Sequence, residues 1–141
     1  MSAPTPPAAD AAPVVLTGHV LVVEDNPSVA RALATIIGSA GFAAVPCTRG
    51  DEALNYCQSG APVAAVIDIH LPDINGLVLA QKLREQFGPD MPIIVVSGDT
   101  SMETIKSLSH VGATYFLAKP LNAALLLSRL RELTGANRAA V

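Results

Sequence analysis

Between Gly18 and Gly135, short apolar runs alternate five times with stretches in which apolar residues recur every three to four positions. The first run, HVLVV at 19–23, is continuous rather than periodic and reads as a strand buried on both faces. Pro27 then opens a helix, with Asp25 or Asn26 as its cap. Val29, Ala30, Leu33, Ile36 and Ile37 form its inward face, and Gly41 suits its stop. FAAVPC at 42–47 is a weaker strand; Pro46 cannot donate a ladder hydrogen bond, which sends this strand to a sheet edge. A short helix over 51–58 follows, then a buried strand, VAAVI, at 63–67. The pattern continues with a helix over 76–86, a strand at 93–96 and a helix over 102–110. It closes with a strand at 115–118 and a helix over 122–133.

Continuous apolar strands joined by helices predict an α/β fold whose parallel sheet is covered on both faces. With right-handed crossovers and the Pro46 strand at an edge, a five-stranded doubly wound sheet with five helices is the economical arrangement. Ala123, Leu126, Leu127, Leu130 and Leu133 give the last helix its inward stripe. Leu125 falls outside that stripe and marks a candidate partner or dimer contact. The Pro- and Ala-rich residues 1–17 read as a flexible arm or linker, 18–135 as one domain and 136–141 as a short tail.

Half of the 141 residues are hydrophobic and 15% are charged, which excludes disorder over most of the chain. A net charge of −3, with nine scattered basic residues, gives no footprint for a nucleic-acid backbone. No apolar run approaches the ~18 residues needed to span a bilayer, and residues 1–18 lack the basic start and apolar middle of a secretory signal. The expected location is therefore the cytoplasm. Cys47 and Cys57 have no partner at metal-ligand spacing and read as free thiols that fill the core. His19 and His110 show no partner in the sequence.

In a doubly wound sheet, chemistry gathers beyond the carboxyl ends of the strands. Here the first strand delivers Glu24 and Asp25, the third Asp68, the fourth Ser97 and the fifth Lys119. Three carboxylates brought together repel unless a cation intervenes, and a hard divalent ion such as Mg²⁺ chooses oxygen ligands while leaving positions for phosphate oxygens. A lysine adds a compact positive charge and a serine a hydroxyl donor. Carboxylate, metal, ammonium and hydroxyl together describe a site for forming an aspartyl phosphate. Each residue also has a plainer reading: Asp68 as a turn residue, Glu24–Asp25 as helix caps, Ser97 as loop and Lys119 as a solvated side chain.

VVEDN, VIDIHLPDINGL, VVSGD and FLAKP, in that order, resemble the receiver domain of response regulators (CheY-like) over about residues 18–135. The spacings are similar too: 43 residues from Asp25 to Asp68, 29 to Ser97 and 22 more to Lys119. The resemblance implies the strand order 2-1-3-4-5 and a phosphorelay domain, a signalling module rather than an enzyme, that takes a phosphoryl group onto Asp68. It implies Mg²⁺ held by Asp25, Glu24, Asp68 and the backbone carbonyl of His70. It makes Lys119 and Ser97 the groups that contact the phosphoryl oxygens, with a cis bond between Lys119 and Pro120, and it has Pro72 and Gly76 shape the loop after Asp68. Phe116 stands where the family has its switch aromatic, often Tyr, so its inward state rests on packing without a hydroxyl. The fourth helix, fifth strand and fifth helix become the readout surface and a candidate homodimer contact. The implied donor is a phosphohistidine on a histidine kinase or phosphotransfer protein, with the downstream partner unnamed.

Three other readings compete with this one. Haloacid-dehalogenase-like phosphatases also use a nucleophilic aspartate with Mg²⁺, but need an acid–base aspartate two residues later, where this chain has His70. A degenerate receiver acting as a constitutive interaction module usually lacks an acidic-pocket or lysine position, and here all are present. A nucleotide-binding domain would want a Gly-rich loop after the first strand, where VVEDNPSV offers negative charge. The setting is expected to be either a stand-alone regulator or the carboxyl-terminal receiver of a hybrid histidine kinase.

Overall fold

The computed structural model describes residues 18–135; the predicted arm and tail lie outside the described residues. Five strands, β1 (His19–Val23), β2 (Ala43–Cys47), β3 (Ala64–Asp68), β4 (Ile93–Ser97) and β5 (Tyr115–Ala118), alternate with five helices. The helices are α1 (Pro27–Ser39), α2 (Gly50–Tyr56), α3 (Gly76–Phe87), α4 (Met102–Val111) and α5 (Ala123–Thr134). All strand pairs are parallel, in the order β2-β1-β3-β4-β5, so the strand with Pro46 takes an edge as expected.

Alternation along the strands divides the core in two. Val20, Val22, Ala64, Val66, Ile94 and Val96 face α1 and α5, meeting Leu33, Ile37, Leu126 and Leu130. Leu21, Val23, Ala65, Ile67, Ile93 and Val95 face the other side, meeting Ala53, Leu79, Leu83, Leu108 and Val111 from α2, α3 and α4. A strand buried on both faces has no polar face to show, which is why β1, β3 and β4 are continuous apolar runs. Each fully buried Leu or Ile contributes roughly 1.5–3 kcal/mol, and several from each side, such as Leu21, Leu79, Leu126 and Leu130, are completely enclosed.

The elements depart from expectation in small, explicable ways. Of the two caps expected for α1, Asn26 serves, its side-chain oxygen accepting from the Ser28 and Val29 amides at 2.9 and 3.2 Å. Val29, expected inside, is 40% exposed, and Ile36 is only half-buried; Ala30, Leu33 and Ile37 alone complete the inward stripe. The predicted helix at 51–58 splits into α2 and a 3-10 turn, Cys57–Ser59, and the third strand extends through Asp68. Asn122 caps α5 through the Leu125 amide rather than joining the helix. His19, read as partnerless, stacks edge-on against Tyr56 with ring centres 5.9 Å apart. Both cysteines are buried free thiols; burial pushes Cys47 up to about 12 and raises Cys57, which keeps them protonated. Among the described residues, no helix is long and apolar enough to cross a membrane.

Candidate functional site

The register brings the polar strand ends to one edge. Val23 pairs with Ile67, Asp68 with Val96, and Ser97 with Ala118, so Glu24, Asp68, Ser97 and Lys119 finish their strands side by side. The backbone closes this edge: the Lys119 amide donates to the Ser97 carbonyl at 2.9 Å, and the Glu24 amide to the Cys47 carbonyl at 2.9 Å. Because Asn26 takes the capping role, Asp25 remains at the site, exposed, beside two buried carboxylates. Carboxylate oxygens of Glu24, Asp25 and Asp68 lie within 4.8 Å of one another.

Glu24 and Asp68 are each only 4% exposed, a costly place for charge unless partners are supplied. Lys119 supplies them, its ammonium donating to Asp68 Oδ2 at 2.9 Å and to Glu24 Oε1 at 3.1 Å. The second Glu24 oxygen accepts the Asn26 amide at 3.2 Å, and Asp68 Oδ1 accepts the His70 amide at 3.2 Å. Burial raises the Glu24 carboxyl above its ordinary value, with the neighbouring Asp25 adding to this; the Asn26 amide and Lys119 offset part of the rise. Burial by itself would lower the Lys119 ammonium, but the Asp68 and Glu24 carboxylates outweigh it and raise it. Three carboxylates against one ammonium leave two negative charges uncompensated, the charge of one divalent cation.

The remaining expected residues take distinct places. Ser97 is fully buried, and its hydroxyl oxygen accepts the Asp99 amide at 2.9 Å, which orients the group and leaves its proton to donate. His70 is exposed and pairs with Asn75 in an isolated bridge at the base of the loop after β3. The Lys119–Pro120 bond is cis. Phe116 is half-buried against the core on the α2–α4 side, beside Val95 of β4. Gly76 is required at the far end of the loop, since a Cβ there would collide with the Asp68 carbonyl oxygen.

Two carboxylates near the site were not singled out in the sequence. Asp99 accepts the Ser101 amide at 2.9 Å and the Thr104 hydroxyl at 2.8 Å, ordering the β4–α4 loop; DTSMET at 99–104 carries a local cue, an acid two residues before a serine cap. Asp73 accepts the Gly50 and Asp51 amides at 2.8 and 2.9 Å. Its partners lie 23 and 22 residues away, beyond any local pattern.

Comparison with known proteins agrees with this geometry. The family described as response regulator receiver domain matches residues 20–131. The sensory/regulatory protein RpfC of Xanthomonas campestris pv. campestris is 30% identical over 123 residues, which is 85% of this chain and 17% of RpfC. The response regulator MprA of Mycolicibacterium vanbaalenii is 34% identical over 115 residues, 82% of this chain and 49% of MprA. The chain thus spans half or less of the length of these two relatives. Among solved structures, a CheY-like response regulator receiver domain protein from Methanospirillum hungatei superposes with a TM-score of 0.79 at 26% identity, covering 86% of this chain and 97% of that one. Sheet order, acidic pocket and sequence match converge on one assignment: the chain belongs to the response regulator receiver domains of two-component signalling.

Proposed function

We propose that Asp68 is the phosphoryl acceptor of this receiver, with Glu24, Asp25, Asp68 and the His70 carbonyl as the ligands of a Mg²⁺ ion. The observation that carries this is the Lys119 ammonium set between the buried Glu24 and Asp68 carboxylates, with Asp25 completing an acidic cluster of net charge that suits one divalent cation. The oxygen-only donor set fits Mg²⁺ better than a softer metal. When bound, the ion would neutralise charge on the acceptor and the incoming phosphoryl oxygens.

The protein's own residues account for the rest. An Asp68 carboxylate oxygen attacks phosphorus, the P–N bond to the donor histidine breaks, and its electron pair leaves on the imidazole. Lys119, already on Asp68 Oδ2, follows the negative charge onto the phosphoryl group. Ser97 donates its hydroxyl proton to a phosphoryl oxygen, drawing the β4–α4 loop inward, and Phe116 packs into the space it vacates. A shift from about 1:99 to 99:1 between the two states requires ~5.5 kcal/mol. Two or three charge-assisted hydrogen bonds of ~1.5–3 kcal/mol each supply it. The readout surface is α4, β5 and α5, where Met102, Ile105 and Leu125 leave apolar side chains open and a homodimer contact would form. A phosphohistidine on a kinase or phosphotransfer protein is the donor, and the setting is either a stand-alone regulator or the receiver of a hybrid histidine kinase.

The test is exposure to Mg²⁺ with beryllofluoride or a small acyl phosphate, followed by amide shifts around Ser97 and Phe116. The wild type responds and Asp68→Asn does not. An equal response from Asp68→Asn would remove Asp68 from the role.

A further inference from the structure

The loop after β3 carries His70 past the acidic pocket, and contacts at its base and its tip hold it. At its base the Gly76 amide donates to the Ile69 carbonyl at 2.7 Å, and His70 pairs with Asn75 across the loop. At its tip the two oxygens of Asp73 each accept one amide at the start of α2, Gly50 at 2.8 Å and Asp51 at 2.9 Å. The Arg49 guanidinium stands 3.8 Å from the same carboxylate. Ile74 lies so close over Gly50 that a Cβ there would collide with it. The start of α2 is itself tied down, because β2 precedes it and the Cys47 carbonyl accepts the Glu24 amide. A ring therefore runs from Glu24 through β2 and the start of α2 to Asp73, along the loop to Asp68, and closes through Lys119, which donates to both Asp68 and Glu24.

The sheet fixes the separation of Glu24 from Asp68, and its bonding ends at Ile69, whose amide donates to the Val96 carbonyl at 3.2 Å. His70, one residue further, is placed by its own amide on Asp68 Oδ1 and by the rest of the loop. Mg²⁺ demands near-ideal octahedral ligands, so a loop free to drift by a fraction of an ångström would lose a carbonyl ligand. A carboxylate is acceptor-only, and two oxygens on two successive amides give a charge-assisted, oriented latch.

We propose that Asp73 is a positioning residue for the metal site: its two-pronged latch on the start of α2 sets the loop so that the His70 carbonyl faces the cation. Asp73 acts without touching ion or phosphoryl group, and the inference rests on the reading of the Asp68 pocket as a Mg²⁺ site.

The experiment is a Mg²⁺ titration of the full chain, followed by the amide shifts of Asp68 and His70. Wild type, Asp25→Asn, Asp73→Ala and Asp73→Asn are compared, with the denaturant stability of each measured in chelator. Wild type binds and Asp25→Asn weakens binding. Asp73→Ala is expected to weaken Mg²⁺ affinity about tenfold, the lower end for groups that orient metal ligands. Asp73→Asn, which keeps one acceptor oxygen, falls between. Wild-type Mg²⁺ affinity in Asp73→Ala, whatever its stability, overturns the proposal and leaves Asp73 a helix cap. Should Asp73→Ala not fold, unchanged affinity in Asp73→Asn overturns it equally. A wild type that ignores Mg²⁺, or an Asp25→Asn that matches it, refutes the metal-site reading itself and the role of Asp73 with it.

Discussion

Without the Lys119 ammonium, two carboxylates, each 4% exposed, would face one another with no counter-charge. Breaking a fully buried pair costs ~3–5 kcal/mol. Lys119 is 36% open to water, so Lys119→Ala is expected to lose less, about 1–3 kcal/mol in denaturant unfolding without metal. Mg²⁺ should restore more stability to this variant than to the wild type, because a cation replaces the missing charge. Equal gains from Mg²⁺ in both proteins would show that lysine and metal do not share the carboxylates. At this scale the sequence was informative about residue type. Glu24, Asp25, Asp68, Ser97 and Lys119 all stand out as polar groups ending apolar runs. It was silent on Asp73, a residue in an ordinary turn sequence until α2 is folded against it.

Among the elements, α4 is held at its start by its cap rather than by burial. Only Leu108 and Val111, in its last turns, are buried, whereas Met102 at its start is 70% exposed. Its first turn is held by Ser101, whose hydroxyl accepts the Thr104 amide, and by the Asp99 carboxylate. The Ser101 amide foremost, then the Thr104 and Ser101 side chains, hold Asp99 below its ordinary value of 3.8. A depressed carboxylate contributes stability above its unfolded value and loses it as pH falls through the folded one. Asp99→Asn is therefore expected to flatten the acid limb of stability as pH falls below the ordinary carboxylate range. Hydrogen exchange of the α4 amides checks this, and a limb as steep as in the wild type would exclude Asp99 as its source. Element boundaries were legible to within a residue or two. The sequence left the α1 cap open between Asp25 and Asn26, and Asn122, expected as the first residue of α5, caps it instead.

At the level of the molecule, the two half-cores share the same five strands, so neither can melt alone. Leu79→Ala on one face and Leu126→Ala on the other should each cost ~2–5 kcal/mol, the range for emptying a buried leucine site. Both should shift a single unfolding transition rather than split it. Two separated transitions in either variant, seen by circular dichroism and amide signals together, would mean that the faces unfold independently.

The sequence by itself determined which segments become strands and helices, that the sheet is parallel and covered on both faces, and which polar groups end the strands. These follow from periodicity and from the chemistry of single residues, information contained within one turn or one strand. Only the tertiary structure decided who meets whom. Lys119 reaches a carboxylate 51 residues away and another 95 away, and Asp73 finds amides on a helix that precedes it in the chain. Such pairings depend on strand register and on the path of the crossovers, which no local pattern encodes.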